Sequence, residues 1–148
     1  MKMKFLGLAP ALALLLAGCS APDVKKAILS PDAPAPIGPY SQGVESHGMV
    51  FVSAQLAIDP KTGKMADDIK GQTRQVLTNI AAILAAAGLT LDDAVQSQVF
   101  LTDVNEFPAM NEVYATFFKN IPPARTTVQV SRLPRDGKIT ISMVAARK

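Results

Sequence analysis

Hydrophobic positions along the chain change period several times, and each change marks an element. Ile69, Val76, Leu77, Ile80, Ile83, Leu84 and Ala87 recur at the 3.6-residue spacing of one helical face. Asp67 or Asp68 is placed to cap the start of that helix, and Gly88 to stop it. Residues 94–102, rich in Val, Phe and Leu, read as a strand. Asn105 then stands as an N-cap, and Pro108 is tolerated in the first turn of a second helix. That helix presents Phe107, Met110, Val113, Tyr114 and Phe117 as its buried face.

The flanking regions alternate at the period of strands. Residues 25–30 are strand-like, and Pro31, Pro34, Pro36 and Pro39 then enforce an extended loop. Residues 40–46 and 48–56 form a hairpin with His47-Gly48 near its turn, and residues 59–63 are a further turn by composition. Residues 126–132 and 139–146 are two more strands, joined through Pro134 and Gly137. In the last strand Ile139, Ile141, Met143 and Ala145 share one face, and Thr140, Ser142 and Val144 the other. The order is strand, hairpin, helix, strand, helix, strand, strand. It predicts an α+β domain with both helices on one face of a single sheet. The second face needs cover too, and oligomerisation supplies it.

The 148 residues suffice for one domain. The formal charge of +3 overstates how basic that domain is. Without Lys2 and Lys4, 13 basic residues face 12 acidic ones. No basic cluster with interleaved aromatics points to nucleic acid. Lys2 and Lys4 begin a targeting pattern. Residues 5–17 are apolar apart from Gly7 and Pro10, a run suited to a signal-peptide core and short for a bilayer span. It ends in Leu16-Ala17-Gly18-Cys19, which is similar to the lipobox of bacterial lipoproteins. Residues 1–18 are therefore expected to be removed. Cys19 is expected to carry the lipid, with residues 19–24 as its tether and 25–148 as the domain. Cys19 is the only cysteine, which excludes a disulfide within the mature chain. Ser20, rather than Asp, follows it, which in a Gram-negative host favours the outer membrane, facing the periplasm. Ser20 to Asp23 reach about 14 Å when extended, so the domain is expected close to the membrane surface.

Ile37-Gly38-Pro39-Tyr40-Ser41-Gln42 resembles a segment of the Rid family, also called the YjgF family. Three later segments agree in order and spacing. These are Phe51-Val52-Ser53-Ala54-Gln55, Met110-Asn111-Glu112-Val113-Tyr114, and Pro122-Pro123-Ala124-Arg125-Thr126-Thr127-Val128. The resemblance covers about residues 25–148. It implies a chorismate-mutase-like (YjgF-like) fold and a homotrimer with clefts between neighbouring subunits. It also implies hydrolysis of reactive 2-imino and enamine acids such as 2-iminopropanoate, with no metal or cofactor. Older family names point to ribonuclease or translation inhibition, which suits a near-neutral exported domain poorly.

Imino-acid hydrolysis needs a cation for the carboxylate, a water for the C=N carbon and a proton for the departing nitrogen. Arg125 matches the family's carboxylate-binding arginine, and a guanidinium offers the planar fork that bidentate binding requires. Standing against this is an interface arginine paired with an acidic neighbour. Tyr40, Ser53 and Asn111 match cleft positions; their structural alternatives are loop packing for Tyr40 and helix stabilisation for Asn111. Thr127 falls where many relatives carry cysteine, and Ala54 replaces the usual glycine, which narrows the pocket. The largest departure is Thr140, where imine-hydrolysing relatives usually carry glutamate. Threonine is a poor base near neutral pH. This leaves a second reading open, a catalytically weak or inactive carboxylate-binding trimer. A third is a holdase-like surface protein. His47 reads as a surface turn residue, and Asp67-Asp68 as helix capping rather than paired catalytic carboxylates.

Overall fold

A computed structural model of the protein describes residues 24–147. The expected signal peptide, Cys19 and the tether up to Asp23 lie outside the described residues. The strands are β1 (Lys26–Ile28), β2 (Gly43–Ser46), β3 (Met49–Leu56), β4 (Ala94–Leu101), β5 (Ala124–Gln129) and β6 (Ile139–Ala146). The helices are α1 (Ile69–Ala86) and α2 (Phe107–Tyr114). Among the described residues all six strands join one sheet in the order β1-β2-β3-β6-β4-β5. Every pairing is antiparallel except β4 with β5, where α2 makes the crossover that parallel neighbours require.

Both helices lie on one face. Ile69, Val76, Leu77, Ile80, Ile83, Leu84 and Ala87 are all buried, as their spacing predicts. They meet Val50, Val52, Ile139, Ile141 and Met143 from the centre of the sheet. Asp68, not Asp67, caps α1: its carboxylate accepts from the Gly71 amide at 2.8 Å. Gly88 ends the helix with φ at 73°, and the Leu89 amide donates back to the Leu84 carbonyl. The hairpin turn at His47-Gly48 has φ of 50° and 71°, the paired positive values of a tight two-residue connection.

Several boundaries differ from the sequence expectation; β1 is only Lys26–Ile28, β2 starts at Gly43 rather than residue 40, and β5 ends at Gln129 rather than residue 132. Asp103, not Asn105, is the cap ahead of α2; its side chain accepts from the Asn105 amide and a short 3-10 turn intervenes. α2 ends at Tyr114, and Phe117 lies in a following 3-10 turn. β5 starts at Ala124, two residues before the predicted start, because pairing with β4 overrides the weak strand preference of Pro-Ala-Arg.

The other face of the sheet has no layer over it in the single chain. Phe51, Val144, Gln98, Ser142 and Val128 project there and carry no charge. Phe51 is 48% exposed and Val128 42%. No helix of the described residues is long and apolar enough to cross a membrane.

Candidate active site

The residues singled out from sequence fall into two clusters. The first surrounds Arg125, second residue of β5 and in register with Ser97 of β4. Its guanidinium carbon lies 4.6 Å from the Tyr114 ring centre and 5.5 Å from that of Phe107. Two aromatic rings of the α2 segment thus hold the cation against the helix-covered face. Among the described residues no carboxylate lies within salt-bridge distance of Arg125. The described residues therefore leave this arginine without a neutralising carboxylate. Asn111, one turn before Tyr114, lines the same cavity of about 580 Å³, with Phe118 and Pro123. Thr127 follows two residues along β5, on the same face.

This cluster has unused hydrogen-bonding capacity. The hydroxyls of Ser97, Tyr114 and Thr127 are buried without a partner. Those of Tyr114 and Ser97 lie near each other but outside hydrogen-bonding geometry. Burial pushes the Tyr114 phenol above its ordinary value; Ser97 and the Arg125 charge oppose that shift. The phenol is therefore neutral at physiological pH, and it braces Arg125 through its ring.

The second cluster lies where β3 breaks register. A bulge between Val52 and Gln55 sets Ser53 and Ala54 beside a cavity of about 380 Å³. Tyr40 and Thr140 line it as well. The Tyr40 oxygen accepts from the Ile37 amide at 3.2 Å, and the Ser53 hydroxyl donates to the Ser41 carbonyl at 2.7 Å. Thr140 is 7% exposed, and its hydroxyl donates to the Gln55 carbonyl at 2.8 Å. Its proton is thus committed to the backbone. Ala54 lines this cavity.

Arg125 and Thr140 do not meet. Arg125 packs on α2, whereas Thr140 pairs with Leu56 and Phe100 on the opposite face. Within one chain the two residues line different cavities.

Several functional positions were not read from sequence. Gln42 is buried, and its amide accepts from the Ser30 amide and donates to the carbonyls of Ser30, Ala33 and Pro34. It pins the proline-rich loop that walls the second cavity. Asn79 of α1 is fully buried and donates to the carbonyls of Leu56 and Ile58, fixing the end of β3. Gln42 closes a quoted motif, so a signal existed. The helical period assigned Tyr114 to the core, but nothing in that period announced its place against Arg125. His47 stands at the hairpin turn, as read. Asp67-Asp68 precedes α1 outside both cavities. Among the described residues no group of three or more His, Cys, Asp or Glu is placed to hold a metal ion.

Two helices on one face of a single six-stranded sheet, with an arginine at a cavity and no carboxylate beside it among the described residues, define the class of domain. Residues 30–147 match the family described as Endoribonuclease L-PSP. The chain belongs to this family, the same Rid family that its motifs resemble. It is 50% identical over 126 residues to a RutC family protein of Pyrococcus horikoshii, covering 84% of this chain and all of that protein. It is 46% identical over 128 residues to the 2-iminobutanoate/2-iminopropanoate deaminase of Salmonella typhimurium, again with 84% and 100% covered. Among solved structures, Escherichia coli TdcF with bound serine superposes with a TM-score of 0.81 at 44% identity, covering 83% of this chain and 99% of that one.

Proposed function

We propose that this protein hydrolyses 2-imino and enamine acids to 2-oxo acids and ammonia. The observation that carries the reading is Arg125, braced by two aromatic rings and left without a carboxylate. That arrangement is organised to receive an anion from outside the chain. Serine bound in TdcF and the deaminase names of the relatives support a small carboxylate as that anion. The substrate carboxylate takes the guanidinium fork. Water adds to the C=N carbon, the tetrahedral carbinolamine takes a proton on nitrogen, and ammonia leaves as the carbonyl forms.

Arg125 and the Thr140 cavity lie on opposite faces, so two copies supply one site. The uncharged open face of the sheet supports packing against further copies, a homotrimer in this reading. No residue lining the Thr140 cavity carries a carboxylate. Water activation therefore rests on orientation by Tyr40, Ser53 and backbone carbonyls, and turnover is slow for the family. The same feature favours the second reading, a carboxylate-binding trimer without turnover.

The test is loss of imine, generated by an amino-acid oxidase and competed for by semicarbazide. The wild type accelerates imine loss, and Arg125→Ala abolishes the effect. Thr140→Glu raises the rate by up to about 10²–10⁴-fold, the usual contribution of a general base. An inert wild type with an active Thr140→Glu variant establishes the binding trimer instead.

The anchor belongs to the same proposal. The family match leaves residues 1–29 outside it, and that stretch carries the lipobox-like segment ending at Cys19. A threefold assembly sets three such cysteines at one height, so all the acyl chains enter one leaflet. Membrane fractionation of wild type against Cys19→Ala checks this. Equal distribution of the two removes the anchor.

A further inference from the structure

We propose that the end of the sheet where β1 begins is a membrane-facing surface that sits on anionic lipid headgroups. It rests on the proposed lipid anchor at Cys19 and names the partner that the anchored domain meets. Strand register fixes what this end contains. Lys26 pairs with Glu45, Met49 with Ala146, Ala94 with Ala145 and Gln96 with Ala124. The first residues of β1, β3, β4 and β5 and the last of β2 and β6 therefore lie together. The Thr140 cavity lies at the other end, where β3 stops at Leu56 and β6 begins.

Distance decides which end meets the lipid. Four residues, Ser20 to Asp23, separate Cys19 from Val24, a reach of about 14 Å when extended. The eight residues of β3 alone span roughly 25 Å. With the Thr140 end on the bilayer, Val24 would stand beyond the tether's reach. Lying on the β1 edge brings down one anchor of a threefold assembly and lifts the others away. The end next to Val24 is the one that remains. Its surface chemistry suits lipid. Val24 is 75% exposed and Ile121 85%, and they precede β1 and β5, the opposite edges of the sheet. Lys25, Lys26 and Lys119 beside them are exposed, and none forms a salt bridge among the described residues. The acidic groups of this end are already engaged: Glu45 with Arg147, Asp93 with the Thr90 amide, and Asp92 with the Asn120 side chain. The last of these contacts also ties the loop carrying Ile121 to the start of β4. Apolar side chains flanked by unpaired lysines are the chemistry of a surface that meets anionic headgroups. The short tether keeps that surface at high effective concentration against them, so weak contacts suffice. The Thr140 cavity then opens on the far side, toward soluble substrate.

The experiment places the full chain, purified from host membranes, in vesicles of phosphatidylcholine with or without phosphatidylglycerol. Cys19 is the only cysteine, and the lipid occupies its thiol, so an introduced cysteine takes a polarity-sensitive dye alone. One sample carries Ile121→Cys, on the sheet edge far from the tether, where the dye replaces an exposed apolar side chain. The other carries Lys61→Cys, in the exposed turn after β3 at the opposite end. The dye at position 121 shifts to the blue and is quenched by headgroup-labelled lipid, more strongly with phosphatidylglycerol present. The dye at position 61 does neither. Equal responses at the two positions, or no response at 121, overturn the surface. Mass spectrometry of the same samples reads the acyl groups on Cys19. An acylated chain with no response at 121 keeps the anchor and overturns the surface. A chain without acyl groups that still responds at 121 overturns the anchor and sustains the surface, so the two fail separately.

Discussion

At the scale of single residues, Arg125 shows how a cation can be held by rings rather than by an ion pair. Its aromatic neighbours supply a face-on cradle and no counter-charge. Arg125→Lys keeps the charge but loses the planar fork, so carboxylate affinity falls roughly tenfold or more; titration with pyruvate measures it. Tyr114→Phe keeps the ring and retains affinity. Tyr114→Leu removes a contact of about 1–2 kcal/mol and raises KM without matching loss of kcat. Equal affinity in Tyr114→Leu and wild type would remove the bracing role. Short motifs singled out Arg125, Tyr40, Ser53 and Asn111 in the sequence, and each lines one of the two cavities. Tyr114 stayed hidden because a helical period reports burial and not which cation lies beneath a ring.

At the scale of elements, the helices were legible and the joints less so. The six stripe positions of α1, with Ala87 at its C-cap, are all buried because a 3.6-residue stripe has only one way to face a sheet. The start of β5 was displaced because pairing with β4, not local preference, decides where a strand begins. Asp68 offers a test at an element's end. Hydrogen bonding to the Gly71 amide holds its carboxyl below the ordinary range. A depressed folded value means stabilisation present above the unfolded carboxyl range and lost as pH falls through the folded value. Asp68→Ala therefore lowers the melting temperature at neutral pH, and the gap from wild type closes on acidification. A gap constant with pH refutes the capping role. Gln42→Ala strands one amide and three carbonyls, with about 2–4 kcal/mol lost. Denaturant unfolding reads that loss, and pyruvate affinity reads the loosened cavity wall.

At the scale of the whole molecule, the open sheet face and the placement of Arg125 and Thr140 in separate cavities both suit the proposed trimer. The alternation in β6 made the division legible in principle, because it placed Thr140 on the face away from Ile139 and Ile141. What the sequence withheld was the face of Arg125, since its strand began earlier than local preference predicts. Phe51→Glu sets a charge on the open face. Size exclusion then shifts from the proposed trimer to monomer, while circular dichroism retains the helical signal. A variant that stays trimeric would show that another surface joins the copies.

The opposite-face placement of Arg125 and Thr140 has a consequence in the language of inheritance. In the proposed trimer each site draws one half from each of two chains, so a defect is not confined to the copy that bears it. Two alleles, one broken at Arg125 and the other in the Tyr40–Ser53 cavity, are each silent when expressed alone. Expressed together and assorted at random in a trimer, they rebuild about a quarter of the sites from their intact halves. Two failed genes then complement each other, because heredity here acts on the assembly and not on the chain.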